Sequence, residues 1–243
     1  MQKIISLFQR NYDGDRLVHD EIVPGAEWVV AGEGVATRKW DGVCTMIRDG
    51  RLFKRYELKA ETCHAGKTPP DWEPADELDA NTDKQMGWVP VREGDDAKPE
   101  DRFMLEALQN RFGNSHREGG TYEFVGPKSQ GNAESFNIHL LVRHGDAPLH
   151  VAPRTFEALR GYLLANDEIE GIVWHHPDGR MVKIKAKDFG IKRRKVQVDN
   201  DLMSGWNVID ALCGVVAWFL RESEAREWCA AHGSLLRVQE ARR

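Results

Sequence analysis

A lysine followed two residues later by an aspartate and then by a glycine is the first feature of this sequence that could do chemistry. The segment is Lys39-Trp40-Asp41-Gly42. A lysine amine is a nucleophile when it is neutral, and the carboxylate of Asp41 could orient it. The pattern alone is weak, because a surface turn with a solvated lysine has the same spacing. Its meaning depends on the other charged residues of the chain.

Three further segments place charged side chains on or next to predicted strands. Residues 121–126 (TYEFVG) carry Glu123, and Glu170 begins the apolar run of residues 170–174 (EGIVW). Lys183 and Lys185 fall on one face of a predicted strand, because side chains alternate with a period of two. Each segment alone is typical of an ordinary strand or turn.

Together, and in this order, the four segments resemble the motifs of the covalent nucleotidyltransferases, which comprise nucleotide-dependent DNA ligases, RNA ligases and RNA capping enzymes. The resemblance spans residues 35–195. It implies that Lys39 is the nucleophile and that Glu123 serves the nucleotide and a metal. Glu170 then corresponds to the later glutamate motif, and Lys183 with Lys185 to the closing lysine motif.

The chemistry that the resemblance implies uses ATP as co-substrate and Mg²⁺ or Mn²⁺ as cofactor. Cations near Lys39, such as Lys183, Lys185 and a bound metal, favour the neutral amine that attacks the α-phosphate. They also stabilise the charge of the transferring phosphoryl group. Mg²⁺ prefers carboxylate oxygens, so Glu123 and Glu170 are candidate metal ligands. Both could instead hold the ribose hydroxyls, and the sequence leaves the two roles open.

Other residues are expected to line the nucleotide site on the same resemblance. Thr37 occupies a position that often reads the base, and Gly42 closes the nucleophile motif. Arg55 corresponds to a basic residue that contacts the nucleotide or the 5′-phosphate of the substrate. A ring is expected to stack on the base; His144 has a suitable spacing and Phe136 is the alternative.

Three further segments favour the RNA ligases within the superfamily. Residues 32–44, 87–91 and 139–142 resemble the stand-alone 5′-to-3′ RNA ligases, and Cys44 stands where DNA ligases usually have arginine. The implied reaction joins a 5′-phosphate and a 3′-hydroxyl of RNA through a lysyl–AMP intermediate. A DNA ligase, a capping guanylyltransferase and a non-catalytic nucleic-acid-binding module remain alternatives.

Composition places the chain among globular proteins. Hydrophobic residues make up 41% of its 243 residues and charged residues 30%, which allows a sizeable core. The longest apolar run, residues 211–220, is ten residues long, whereas a membrane helix needs about 20. Four widely spaced cysteines and no recognisable secretory signal predict a cytoplasmic protein without a membrane partner.

Charge is distributed unevenly, although the net charge is only −5. Residues 71–101 contain eleven acids and three bases, whereas residues 180–195 contain eight bases and one acid. RNA is expected to bind through its phosphates along this basic stretch.

The pattern of turns and apolar residues predicts an α+β fold. Residues 44–58 and 171–184 are predicted hairpins, and residues 100–111 and 153–165 are predicted helices. Residues 60–101 are predicted to be a long irregular excursion. The resemblance implies a nucleotidyltransferase domain over residues 1–198, with two antiparallel sheets around a nucleotide cleft. Residues 199–243 are predicted to be a helical extension without an OB-fold.

Overall fold

The computed structural model describes residues 4–80, 82–113 and 115–194, together with residues 206–210, 214–219, 226 and 236–240. The strands are β1 (Ile5–Ser6), β2 (Phe8–Arg10), β3 (Val18–Ile22), β4 (Val35–Lys39), β5 (Val43–Arg48), β6 (Arg51–Lys59), β7 (Glu73–Pro74), β8 (Lys84–Pro90), β9 (Gly120–Val125), β10 (Leu140–Arg143), β11 (Gly171–His175), β12 (Met181–Lys185), β13 (Trp206–Asp210), β14 (Gly214–Phe219) and β15 (Leu236–Glu240). The helices are α1 (Glu27–Val30), α2 (Ala60–His64), α3 (Pro99–Phe112) and α4 (Phe156–Ala165), with short 3₁₀ turns at Gly94–Asp96 and Ala186–Phe189.

Two sheets carry the candidate site residues. The first sheet has the order β1-β12-β11-β4, and the second has the order β10-β9-β5-β6-β8-β7. The α+β class is confirmed. The expectation of two purely antiparallel sheets is wrong for one pair, because β1 runs parallel to β12, with Ile5 opposite Val182. A two-residue strand has no pattern of its own from which its direction could be predicted.

The alternation of side chains divides each sheet into a core face and a cleft face. On the first sheet, Ile172, Trp174 and Ile184 pack in a core with Leu159 and Leu163 of α4. The residues between them in the sequence therefore point to the opposite face.

The second sheet is divided in the same way. Tyr122 and Phe124 of β9 pack in a core with Met104 and Leu108 of α3. Glu123, which lies between them in the sequence, faces away from this core. Helices thus cover the outer face of each sheet, and the polar residues are left for the cleft.

The two predicted hairpins are confirmed. β5 and β6 are joined by Asp49 and Gly50, which both have positive φ angles (52° and 71°), as a tight hairpin turn requires. β11 and β12 pair in register, with Val173 opposite Lys183. The two predicted helices correspond to α3 and α4, although α4 begins at Phe156 rather than at residue 153.

The predicted irregular excursion over residues 60–101 is wrong for its second half. β8 pairs with β6 along seven residues and lies inside the second sheet. The strand contains Gly87 and ends at Pro90, which weaken a sequence-based strand prediction. Gly87 is required by packing, because a side chain there would overlap Trp72 and the carbonyl oxygen of Glu73.

The predicted helical tail is wrong at residues 206–210, 214–219 and 236–240, which form strands. β13 pairs antiparallel with both β14 and β15. Short apolar runs are ambiguous between helix and strand, and the β-branched and aromatic residues of β14 (GVVAWF) favour the strand. The domain boundary at residues 198 and 199 lies outside the described residues. Within the described part of the chain, no helix has the length and apolar character needed to cross a bilayer.

Candidate active site

The register of the first sheet brings two of the predicted lysines to either side of one glutamate. Gly171, at the start of the central strand β11, lies opposite Lys39 on β4 and opposite Lys185 on β12. Glu170 immediately precedes it. A side chain at position 171 would overlap the carbonyl oxygen of Ile184, so glycine permits this close approach of the strands.

Glu170 bridges both lysines. The Nζ atom of Lys39 lies 2.5 Å from its Oε2 atom, and the Nζ atom of Lys185 lies 2.5 Å from its Oε1 atom. All three side chains are largely buried, with exposed fractions of 12–20%. Burial acts to raise the pKa of Glu170, but the charges of Lys39 and Lys185 outweigh it and hold that pKa below its ordinary value. Glu170 is therefore an anion between two cations.

Lys183 adds a third amine to this group. Burial, together with the charges of Lys185 and Lys39, lowers the pKa of Lys183 from 10.5 to about 8. The site thus concentrates positive charge in a partly desolvated place, which suits the binding of phosphate groups.

We expect Lys183 to titrate near pH 8 in the folded protein. The unfolded chain binds this proton up to its ordinary pKa, so the group makes the free energy of unfolding rise as the pH increases from 8 towards 10.5. NMR of the labelled lysine ε-carbons should show one lysine with a titration midpoint near pH 8. Lys185→Ala should move this midpoint to a higher pH, because it removes a nearby positive charge. A titration above pH 10 in the unsubstituted protein would contradict this expectation.

A cavity of about 520 Å³ opens beside these lysines and is lined by residues of both sheets. Most of the predicted site residues line it, and these are Thr37, Lys39, Gly42, Arg55, Glu123, His144, Lys183 and Lys185. The exceptions are Asp41, Phe136 and Glu170. Glu170 and Asp41 line an adjoining cavity of about 370 Å³, which shares Lys39 with the first.

Glu123 occupies the part of the large cavity that the second sheet contributes. Its Oε1 atom accepts a hydrogen bond from the backbone N–H of Gly42 (3.1 Å), and its Oε2 atom lies 2.8 Å from Nε2 of His144. A side chain at position 42 would overlap the carbonyl oxygen of Phe124. Glycine at position 42 is therefore required for the chain that enters β5 to pass close to β9.

His144 and Phe136, the two candidate stacking rings, lie in different surroundings. His144 lines the large cavity. Phe136 is buried (8% exposed) and packs against Trp40 at 5.9 Å between ring centroids. A ligand in this cavity would therefore meet the ring of His144 rather than that of Phe136.

Thr37 lies in the wall of the cavity next to His175. The Thr37 hydroxyl donates to the carbonyl oxygen of Val173 (3.2 Å) and lies 3.1 Å from Nε2 of His175. Burial, with the nearby His144, lowers the pKa of His175, so the ring is held in its neutral form. A neutral ring nitrogen and a hydroxyl can form hydrogen bonds with the edge of a base.

The family model described as RNA ligase 1 matches residues 113–212 of this chain. The predicted resemblance to the RNA ligases is confirmed. The matched residues include Glu123, Glu170, Lys183 and Lys185, whereas Lys39 precedes them. No curated protein matches this chain.

Asp41, two residues after Lys39, makes no contact with the Lys39 amine in this structure. Its carboxylate lies 3.2 Å from Nη1 of Arg193, and Lys39 instead donates to Glu170 and to the carbonyl oxygen of Trp40. This geometry therefore does not support the expectation that Asp41 orients the amine of Lys39 directly. Asp41 instead ties the loop after Lys39 to Arg193.

Sequence reasoning missed Glu134, which ties this loop to its surroundings. Its carboxylate accepts hydrogen bonds from Arg38 (2.7 Å) and from the backbone N–H of Asp41 (2.7 Å), and it lies 2.9 Å from Arg193. The side chain is only 1% exposed. Glu134 belongs to no motif, and its partners are distant in the sequence, so no local signal could have identified it.

We expect Glu134→Ala to lower the free energy of unfolding by about 3 kcal/mol, because it removes the carboxylate that pairs with the partly buried guanidinium of Arg38 and one of the two carboxylates that pair with Arg193. Glu118→Ala is the matched control: it removes an exposed partner of Arg143 and should cost less than about 1 kcal/mol. Urea denaturation measures both. Equal decreases in the free energy of unfolding in the two variants would contradict a special stabilising role of Glu134.

Proposed function

We propose that this protein is an ATP-dependent RNA ligase that forms a covalent lysyl–AMP intermediate at Lys39. The observation that carries the proposal is the convergence of Lys39, Glu170, Lys183 and Lys185 beside a cavity of nucleotide size. A nucleophilic amine among cations is what the transfer of an adenylyl group from ATP to lysine needs.

In the first step the neutral amine of Lys39 attacks the α-phosphorus of ATP. An N–P bond forms, and the P–O bond to the departing pyrophosphate breaks. The amine must lose a proton, and the nearest carboxylate is that of Glu170 at 2.5 Å. When Lys185 turns to a bound phosphate, Glu170 loses one of the two cations that lower its pKa and becomes a better proton acceptor.

The residues present fit a magnesium ion. Mg²⁺ is commonly bound through one or two carboxylates together with phosphate oxygens and water. Glu123 and Glu170 supply such carboxylates in the two adjoining cavities, and either or both would hold the ion. A bound ion would supply charge that neutralises the phosphate oxygens.

The adenosine part of ATP is assigned to the large cavity. The ring of His144 would stack on the base, and Thr37 with His175 would face its edge. Arg55 lines the same cavity and would contact the nucleotide or the 5′-phosphate of the RNA.

In the second and third steps the RNA ends enter. A 5′-phosphate oxygen attacks the phosphorus of the lysyl–AMP and releases Lys39, which leaves an adenylylated RNA end. A 3′-hydroxyl then attacks the 5′-phosphorus, and AMP departs as the phosphodiester forms.

Fewer positive charges of the basic stretch over residues 180–195 are available to bind RNA than its composition indicates. Several of its bases pair with acids, among them Arg180 with Asp178, Lys185 with Glu170, and Arg194 with Asp167. Lys187 is exposed and lines the smaller cavity beside Lys39, so it is a better candidate for a phosphate contact. RNA contacts are therefore expected close to the nucleophile rather than along the whole stretch.

The test is ligation in the presence of ATP and Mg²⁺, with intact-mass measurement of the protein. We expect one adenylyl group on the protein and joining of RNA ends that carry a 5′-phosphate, with no joining when a 5′-hydroxyl replaces it. Nicked duplex DNA is the comparison substrate, because a DNA ligase is the alternative that shares the first chemical step. Preference for DNA would overturn the substrate assignment, and absence of the adduct would overturn the enzyme assignment.

A further inference from the structure

Three neighbouring strands of the second sheet place a thiol, a carboxylate and an imidazole on one face. Cys44 on β5 lies directly opposite Glu123 on β9. β10 pairs with the other edge of β9, with Val142 opposite Glu123, and His144 lies in the turn that directly follows β10, where its backbone N–H donates to the carbonyl oxygen of Thr121. The three side chains all line the large cavity.

Their donor atoms are close enough to share one ion. The Cys44 sulfur, a Glu123 oxygen and a His144 ring nitrogen all lie within 4.8 Å of one another. The Nδ1 atom of His144 is buried and has no hydrogen-bond partner among the described residues, so one ring nitrogen is available. Cys44 forms no disulfide in the described part of the chain.

The chemistry of this donor set differs from that of a magnesium site. Sulfur and imidazole nitrogen are ligands of Zn²⁺ and similar ions, whereas Mg²⁺ selects oxygen. A thiolate and a carboxylate together carry two negative charges, which match a divalent cation. Three protein ligands leave a fourth tetrahedral position open towards the cavity.

We infer that Cys44, Glu123 and His144 form a binding site for a thiophilic divalent cation of the Zn²⁺ class. Binding forms the metal–sulfur bond and releases the thiol proton to solvent. Because His144 is also assigned to the adenine base, bound cation and nucleoside should compete. This competition rests on the proposed function, whereas cation binding itself does not.

The test uses Co²⁺ as a spectroscopic substitute for Zn²⁺ on the full chain in the absence of Mg²⁺ and ATP. We expect a thiolate-to-cobalt charge-transfer band that saturates at one ion per chain and disappears when Zn²⁺ displaces Co²⁺. Cys44→Ser should abolish the band, and His144→Ala should weaken Co²⁺ binding at least about tenfold. Cys63→Ser is the matched control and should retain the band. Thermal melts check that each variant is folded.

Absence of the band in the unsubstituted protein, its survival in Cys44→Ser, or unchanged Co²⁺ affinity in His144→Ala would overturn the site. Excess adenosine, which does not bind metal through phosphates, should lower the apparent Co²⁺ affinity. A band that adenosine leaves unchanged would overturn the competition. Co²⁺ binding is measured without ATP or RNA. A negative result would therefore overturn the cation site and leave the proposed RNA ligase activity to its own test.

Discussion

Replacing Lys39 by alanine is expected to abolish the covalent protein–AMP adduct, because no other group can take the place of the nucleophilic nitrogen. Lys39→Arg should fail equally, since a guanidinium stays protonated at any practical pH. The arginine variant keeps a positive charge beside Glu170, so it preserves the ion pair that contributes to the fold. Loss of the adduct in both variants therefore separates the nucleophile from a merely structural cation.

The measurement is intact-mass spectrometry after incubation with ATP and Mg²⁺. Lys67→Ala is the matched control, because Lys67 is exposed and lines neither cavity. It should form the adduct at the unsubstituted rate. An adduct that persists in Lys39→Ala would place the nucleophile elsewhere, and peptide mapping would then identify the modified residue.

Lys185→Ala has the second largest expected effect, a fall of about 10²- to 10³-fold in the rate of adduct formation, as for the loss of one charge-stabilising donor. The substitution removes a cation from beside Lys39, so the negative charge of the transferring group is stabilised less.

Single-turnover kinetics with saturating ATP measure this step directly. Lys185→Arg should restore part of the rate, because it retains the charge and can still pair with Glu170. Unchanged kinetics in Lys185→Ala would remove Lys185 from the chemistry. If the rate of adduct formation is unchanged at saturating ATP and lower only at smaller ATP concentrations, Lys185 contributes to nucleotide binding and not to the chemical step.

Much of the catalytic layout follows from local patterns. The alternation in β12 put Lys183 and Lys185 on one face, and this face lines the cavity. The turn at Asp49 and Gly50 predicted the hairpin that follows the nucleophile. These features depend on neighbours in the sequence, which is why the sequence is enough to predict them.

Other features depend on contacts between distant segments. β8 is a strand because it pairs with β6, although Gly87 and Pro90 argue against it locally. Glu134 became part of the site only because folding brings Arg38, Asp41 and Arg193 to its carboxylate. No pattern in the residues around it distinguishes it from any loop glutamate.

The order and types of the charged residues were thus sufficient to predict the family resemblance, the α+β class and the candidate nucleophile, because those properties reside in short segments of the chain. Folding was needed to make Glu170 the bridge between two lysines, to turn Asp41 towards Arg193 and to gather Cys44, Glu123 and His144. Each of these depends on strand register across a sheet or on contacts between remote loops. Such distances are a property of the packed chain and cannot be read from any one segment.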